Sequence, residues 1–140
     1  MSGDPFAPGP MSLFDLSTRA MSAQMVRMNA ATSNLANAGS VSSTRDDAYR
    51  PIRTVFAARL DEASGLATVE SAGLVRSETE PVKRYDPGHP LADETGHVFE
   101  AGVDETAEMV EIMESARQYQ NIVQALQTAR QLMLDTLRSK

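Results

Sequence analysis

The chain has neither cysteine nor tryptophan among its 140 residues. Without cysteine there can be no disulfide and no thiolate metal ligand, and the redox compartment is left unmarked. Aromatic residues make up only 5% of the sequence, so a single core has few large side chains to bury and is expected to be modest. Basic residues are in the minority, 13 against 19 acids, for a net charge of −6 and a pI near 4.8. They are scattered, whereas a grip on nucleic acid needs a clustered basic face. No run approaches the roughly 20 apolar residues of a membrane span, and no basic segment followed by an apolar one opens the chain. Neither an integral membrane protein nor a cleavable secretory signal is expected. Gly-x-Ser-x-Gly and Gly-x-x-x-x-Gly-Lys are also missing, so nucleophilic and phosphate chemistry have no visible motif.

What is present lies mostly at the two ends. Phe14, Met21, Met28 and Leu35 recur every seven residues, with Met25 and Ala31 on the same side, as one face of a helix requires. Towards the C-terminus Met109, Ile112, Ala116, Tyr119, Val123, Leu126, Arg130, Met133 and Leu137 step alternately by three and four, the spacing of a coiled-coil seam. Asp104, Glu105, Glu108, Glu111 and Glu114 lead this second segment, and Arg130, Arg138 and Lys140 close it. That polarity matches the helix macrodipole, with Asp104 a good N-cap. Helices are therefore expected over 11–38 and 104–140, the first ending near Asn37 to Gly39. At 1.5 Å per residue they span roughly 35 and 50 Å, more than a small core can cover. Their apolar stripes, with Met21, Met25, Met28, Met109, Met113 and Met133 among them, read as an intermolecular seam or as an adaptable core.

The middle, 39–103, reads as β-rich and loop. Tyr49 to Leu60, Gly73 to Tyr85 and His97 to Glu100 carry strand-like composition. Pro51 and Pro81 each remove a ladder donor, so these strands lie at edges or begin at the proline. A small β element is expected within a mainly α chain. Residues 1–10, with their prolines and glycines, read as a flexible extension.

Two constellations invite chemistry. Asp86, His89, Asp93 and His97 gather both histidines with two acids, the residue types of a metal or acid–base site. Their segment is also rich in proline and glycine, which favours a structural loop over ligand presentation. Asn34-Leu35-Ala36-Asn37 places two carboxamides on the last turn of the first helix, where they can cap carbonyls or reach a neighbouring backbone. Spacing alone does not choose between these roles.

Ala31-Thr32-Ser33-Asn34-Leu35-Ala36-Asn37 after an amphipathic start resembles the N-terminal signature of bacterial flagellar basal-body rod and hook proteins. Tyr85-Asp86-Pro87-Gly88-His89-Pro90-Leu91-Ala92-Asp93 with Gly96-His97-Val98 is similar to the central motif of the FlgC family of proximal rod proteins. Glu108-Met109-Val110 with Ala116-Arg117-Gln118-Tyr119 resembles the C-terminal signature. Ala101-Gly102-Val103-Asp104 departs from the family's Pro-Asn-Val-Asp, and Tyr119-Gln120-Asn121-Ile122-Val123 from its Tyr-Glu/Gln-Ala-Asn-Val.

The resemblance implies a non-enzymatic structural subunit of the rod in the periplasmic part of the basal body. It would be exported unfolded by the flagellar type III system and would co-assemble with itself and other rod proteins to carry torque. It implies ring-linking and export-gate neighbours, no cofactor and no metal. It further implies that the terminal helices pair as an antiparallel coiled coil, largely disordered before assembly. The assembly interface expected from seam and signatures comprises Phe14, Met21, Met28, Asn34, Leu35, Ala36 and Asn37, with Met109, Ile112, Ala116, Arg117, Tyr119, Leu126 and Met133. A soluble helical adaptor and a small metal-dependent enzyme are the competing readings.

Overall fold

The computed structural model describes residues 12–139; the extension expected over 1–10 lies outside them. In chain order the elements are α1 (Leu13–Ala36), β1 (Val41–Ser42), β2 (Ile52–Asp61), β3 (Leu66–Arg76), β4 (Val82–Tyr85), β5 (His97–Glu100) and α2 (Glu105–Arg138).

Local chemistry sets the helix limits. Ser12 and Asp15 form a reciprocal capping box, each side chain accepting from the other's backbone N–H at 3.2 Å, which satisfies two donors left free at the start of α1. At the other end the Asn37 amide donates to Ser33 O from its side chain at 2.8 Å, and its backbone N–H also turns back to that last turn. Asp104 caps α2 by accepting from the Ala107 N–H at 3.1 Å. Glu105 and Glu108 in the first turn and Arg138 in the last complement the dipole.

The strands form two antiparallel sheets. One has the order β1-β5-β4, with Val41 and Val82 both opposite Glu100. Val98 of β5 is completely buried in it. The Ala101 N–H donates to Ser40 O at 3.0 Å, so this small sheet ties the exit of α1 to the entry of α2. The other sheet is the hairpin β2–β3, ten and eleven residues long, irregular at Val55/Phe56. Pro51 and Pro81 immediately precede β2 and β4, as expected of residues that cannot donate to a ladder.

The expectation of a mainly α chain with a small β element is corrected. Two helices stand beside five strands in two sheets, and a long hairpin replaces the short strands expected over 49–85. The antiparallel coiled coil is not found either. The helices lie side by side in opposite directions, since Arg27 pairs with Glu111 while Ala30 and Ala31 face the entry of α2 near Ala107 and Glu108. The deeply buried residues of this packing are small or polar: Ala23, Ala30, Ala31 and Asn34 on α1, Glu108 and Ser115 on α2. Large seam residues stand out of it, Met109 at 52% and Met133 at 53% exposure. The physical reason is that α1 has two neighbours. The hairpin lies along it as well, rooted at Asn34 and held again at Arg19 through Glu70. A seven-residue seam presupposes one facing helix.

Candidate assembly interface

The N-terminal signature folds inward. The Asn34 side chain is completely buried and grips one residue of the hairpin root at both peptide groups. Its Oδ1 accepts from the Ile52 N–H at 2.7 Å and its Nδ2 donates to Ile52 O at 2.9 Å. Oδ1 also accepts from the Tyr49 hydroxyl at 2.8 Å, which lies 3.3 Å from Ser33 Oγ. The Arg76 guanidinium stacks over the Tyr49 ring at 5.2 Å and donates to Arg50 O. A carboxamide has one donor face and one acceptor face, so it substitutes for a missing strand partner at the start of β2. Sequence spacing indicated a role for Asn34, and the structure supplies the partner, 18 residues away.

A second link joins the hairpin root to α2. Arg53 Nη1 donates to Glu108 Oε1 at 2.7 Å, with Glu108 only 2% exposed and Arg53 51% exposed. The Arg27–Glu111 pair, at 2.7 Å, runs alongside it from α1 to α2. Further out, Glu70 accepts from Arg59 at 2.8 Å and Arg19 at 3.2 Å. The hydrogen bond from Arg59, and to a lesser extent the nearby cationic charge, hold the Glu70 carboxyl below its ordinary range. Three of these pairs, Arg19–Glu70, Arg53–Glu108 and Arg27–Glu111, span 51, 55 and 84 positions in sequence. No local pattern could have shown them; only the acidity of the α2 start pointed that way.

The remaining interface candidates divide by exposure. Met21, Met28, Leu35, Ile112, Ala116, Tyr119 and Leu126 are half-buried, and Asn37 is half-buried as part of the cap. Phe14, Ala36, Met109, Arg117 and Met133 are exposed. Val110 and Met113, outside the seam series, enlarge the exposed apolar face of α2 around Met109. Leu132 and Leu134, with Leu137 of the seam itself, are exposed beside Met133. With 34 residues against 24 in α1, and with its N-terminal end opposite the end of α1, the last turns of α2 have no α1 beside them. Apolar area of this kind in water favours association.

The acid and histidine loop is occupied with itself. Asp93 Oδ1 accepts from the Thr95 N–H at 2.9 Å, the Thr95 hydroxyl at 2.7 Å and the His97 N–H at 2.9 Å. The His97 N–H first, and then the Thr95 hydroxyl, hold the Asp93 carboxyl below the usual carboxylate range. His89 Nδ1 accepts from the Leu91 N–H at 3.0 Å, and the His97 ring packs edge-on against Tyr85. Among the described residues no group of three acid or histidine side chains is placed to hold a metal ion. No helix among them is long and apolar enough to cross a membrane.

Comparison with known proteins adds three relatives and one family. Residues 94–139 match the family described as flagellar basal body rod FlgEFG protein C-terminal. The flagellar basal-body rod protein FlgC of Salmonella typhimurium is 40% identical over 129 residues, covering 91% of this chain and 95% of the relative. FlgC of Yersinia enterocolitica is 36% identical over 127 residues, with the same coverage. FlgC of Agrobacterium fabrum is 33% identical over 115 residues, covering 81% of this chain and 83% of its own length.

Proposed function

The chain belongs to the FlgC family of flagellar basal-body rod proteins, and from that premise we propose how its parts divide the work. It is a structural subunit of the rod in the bacterial flagellar basal body, and it assembles with other basal-body components. The proposal concerns which surfaces do this, with which neighbours.

The helices α1 and α2 form the load-bearing part. Phe14, Met21, Met28 and Leu35 on one, and Met109, Ile112, Ala116, Arg117, Tyr119, Leu126 and Met133 on the other, meet neighbouring subunits. Asn34, Ala36 and Asn37 fix the end of α1, from which the hairpin is oriented. The observation that supports this most directly is the exposed apolar face of α2, with Met109, Val110 and Met113 at one end and Leu132, Met133 and Leu137 at the other. A rod grown by helical repetition needs heterologous contacts, in which each subunit offers two different patches. Two apolar patches on one 34-residue helix meet that requirement.

The neighbours are proximal and distal rod proteins, with ring-linking and export-gate components at the base, and the chain reaches them through the flagellar type III export apparatus. Torque is then shared among many small apolar contacts. The absence of cysteine suits passage into an oxidising compartment, because no adventitious disulfide can form. The test is an in-frame deletion of the gene, with electron microscopy of purified basal bodies and a swimming assay. Rings without a completed rod in non-motile cells support the reading. Intact rods would reject it.

A further inference from the structure

We propose that the cavity between α1, α2 and β2 is a socket for an arginine side chain of an adjoining rod subunit, received at the free oxygen of Glu108. The inference rests on the rod-subunit reading and adds a specific contact to it.

The cavity has a volume of about 310 Å³, and its walls include Ala31, Phe56, Arg27, Arg53, Glu108 and Glu111. Glu108 is a charged side chain at 2% exposure with only one of its two oxygens hydrogen-bonded. Oε1 takes Arg53, while Oε2 is buried without a partner. A buried carboxylate oxygen left unpaired is costly, because it has given up water and gained nothing. A donor is therefore the missing partner.

Three features make that donor a guanidinium. Arg27 and Glu111 neutralise one another, and the Arg53 head group stands half in water, where its charge is screened. The unpaired oxygen of the buried Glu108 carboxylate is thus the group left to satisfy, and a cationic donor is favoured. The apolar walls, Ala31 and Phe56, suit a long apolar stem and a flat head group that stacks on an aromatic face. A carboxylate accepts guanidinium groups at both oxygens in good geometry. Arg53, with its exposed head group, is the wall that makes way for the second one. The Arg53–Glu108 pair links the hairpin root to α2, and a guanidinium at the second oxygen completes the pairing of that carboxylate upon assembly.

The first test uses the full chain with methylguanidinium as probe and methylammonium as control, followed by amide NMR. Saturable shifts at Ala30, Ala31 and Thr54 are expected with methylguanidinium, and a weaker response with methylammonium. Glu108→Gln should lower the apparent affinity by about tenfold or more, the loss of a charge-assisted bond. Phe56→Leu, which leaves the ion pairs in place, should weaken it less and covers the case in which Glu108→Gln does not fold. No saturable shift, or equal binding of both probes, overturns the socket.

The second test is a map of purified basal bodies at side-chain resolution. A guanidinium from an adjoining subunit within hydrogen-bonding distance of Glu108 supports the proposal. A cavity holding only water overturns it even if the free probe binds. Rods that lack the chain altogether would instead overturn the rod-subunit reading and this inference with it.

Discussion

Asn34 and Ile52 are joined through both peptide groups of one residue, donor to acceptor and acceptor to donor, with the carboxamide completely buried at the end of a helix. The relationship fixes where the hairpin leaves α1 and in which direction it runs. Because Tyr49 shares the same carboxamide oxygen, removing it takes the short bonds from three groups at once, leaving the Tyr49 hydroxyl only Ser33 Oγ and the Ile52 carbonyl only Arg53 Nη1, each at 3.3 Å. Asn34→Ala is expected to lower stability by about 3 kcal/mol, the scale of a broken buried polar network. Urea unfolding of the purified chain measures it. A loss below about 0.5 kcal/mol would mean that water replaces the carboxamide without penalty.

Gly96 offers a second measure of the fold. Its φ of +79° lies in the left-handed region, and an added Cβ would meet Tyr85 Cε2 at 2.9 Å and Pro87 Cβ at 3.2 Å. The residue closes the loop before β5 with its carbonyl bonded to the Asp86 N–H at 2.9 Å. Backbone strain and crowding add for Gly96→Ala, which should cost about 2 kcal/mol. Gly65→Ala pays only the backbone strain of its φ of +72°, as nothing lies within 4 Å of its added Cβ. Thermal unfolding of both variants compares the two, and an equal loss would contradict the crowding at Tyr85.

The helices were legible because their ends are written locally, in the acids after Asp104, the basic close at Arg138 and the Asn37 cap. The sheet starts at Pro51 and Pro81 were legible for the same reason. The first half of β3 was not. Leu66 to Ala72 reads Leu-Ala-Thr-Val-Glu-Ser-Ala, too poor in large apolar residues to signal a strand, and its pairing with β2 compensates. The heptad series gave the helices but not their partners. Ala23, Ala30 and Ala31 let α2 and the hairpin approach α1 on different sides, and small residues leave little hydrophobic periodicity. The Asn34 and Glu108 links are long-range, so residue type hinted at Asn34 and nothing local pointed to Arg53.

Acid should loosen the loop that holds β5. The His97 and Thr95 donors depress the Asp93 carboxyl below its ordinary value of 3.8. A carboxyl group whose folded pKa is depressed contributes stability above its unfolded pKa and loses it as pH falls through the folded one. The Thr95 and His97 amides should therefore keep their native NMR positions down to about pH 4 and shift below it. Asp93→Asn cannot ionise, so in that variant this pH dependence should vanish. Identical titrations of the two proteins would assign the transition to other groups.

Met113 separates assembly from folding. It is 71% exposed on α2, beside Val110 and next to the exposed Arg117, so Met113→Asp removes almost no intramolecular packing. Surface substitutions of this kind change stability by about 0.5 kcal/mol or less. In the assembled rod the same aspartate would place a charge against an apolar neighbour, at a cost of several kcal/mol per contact. The expected outcome is an unchanged urea midpoint together with loss of swimming and of completed rods. Leu126→Asp should also abolish motility, but its half-buried position adds a loss of monomer stability that Met113→Asp lacks. Normal swimming in the Met113 variant would move the interface off this face of α2 and towards the hairpin, since both candidate surfaces leave the Arg27–Glu111 pairing of the helices intact.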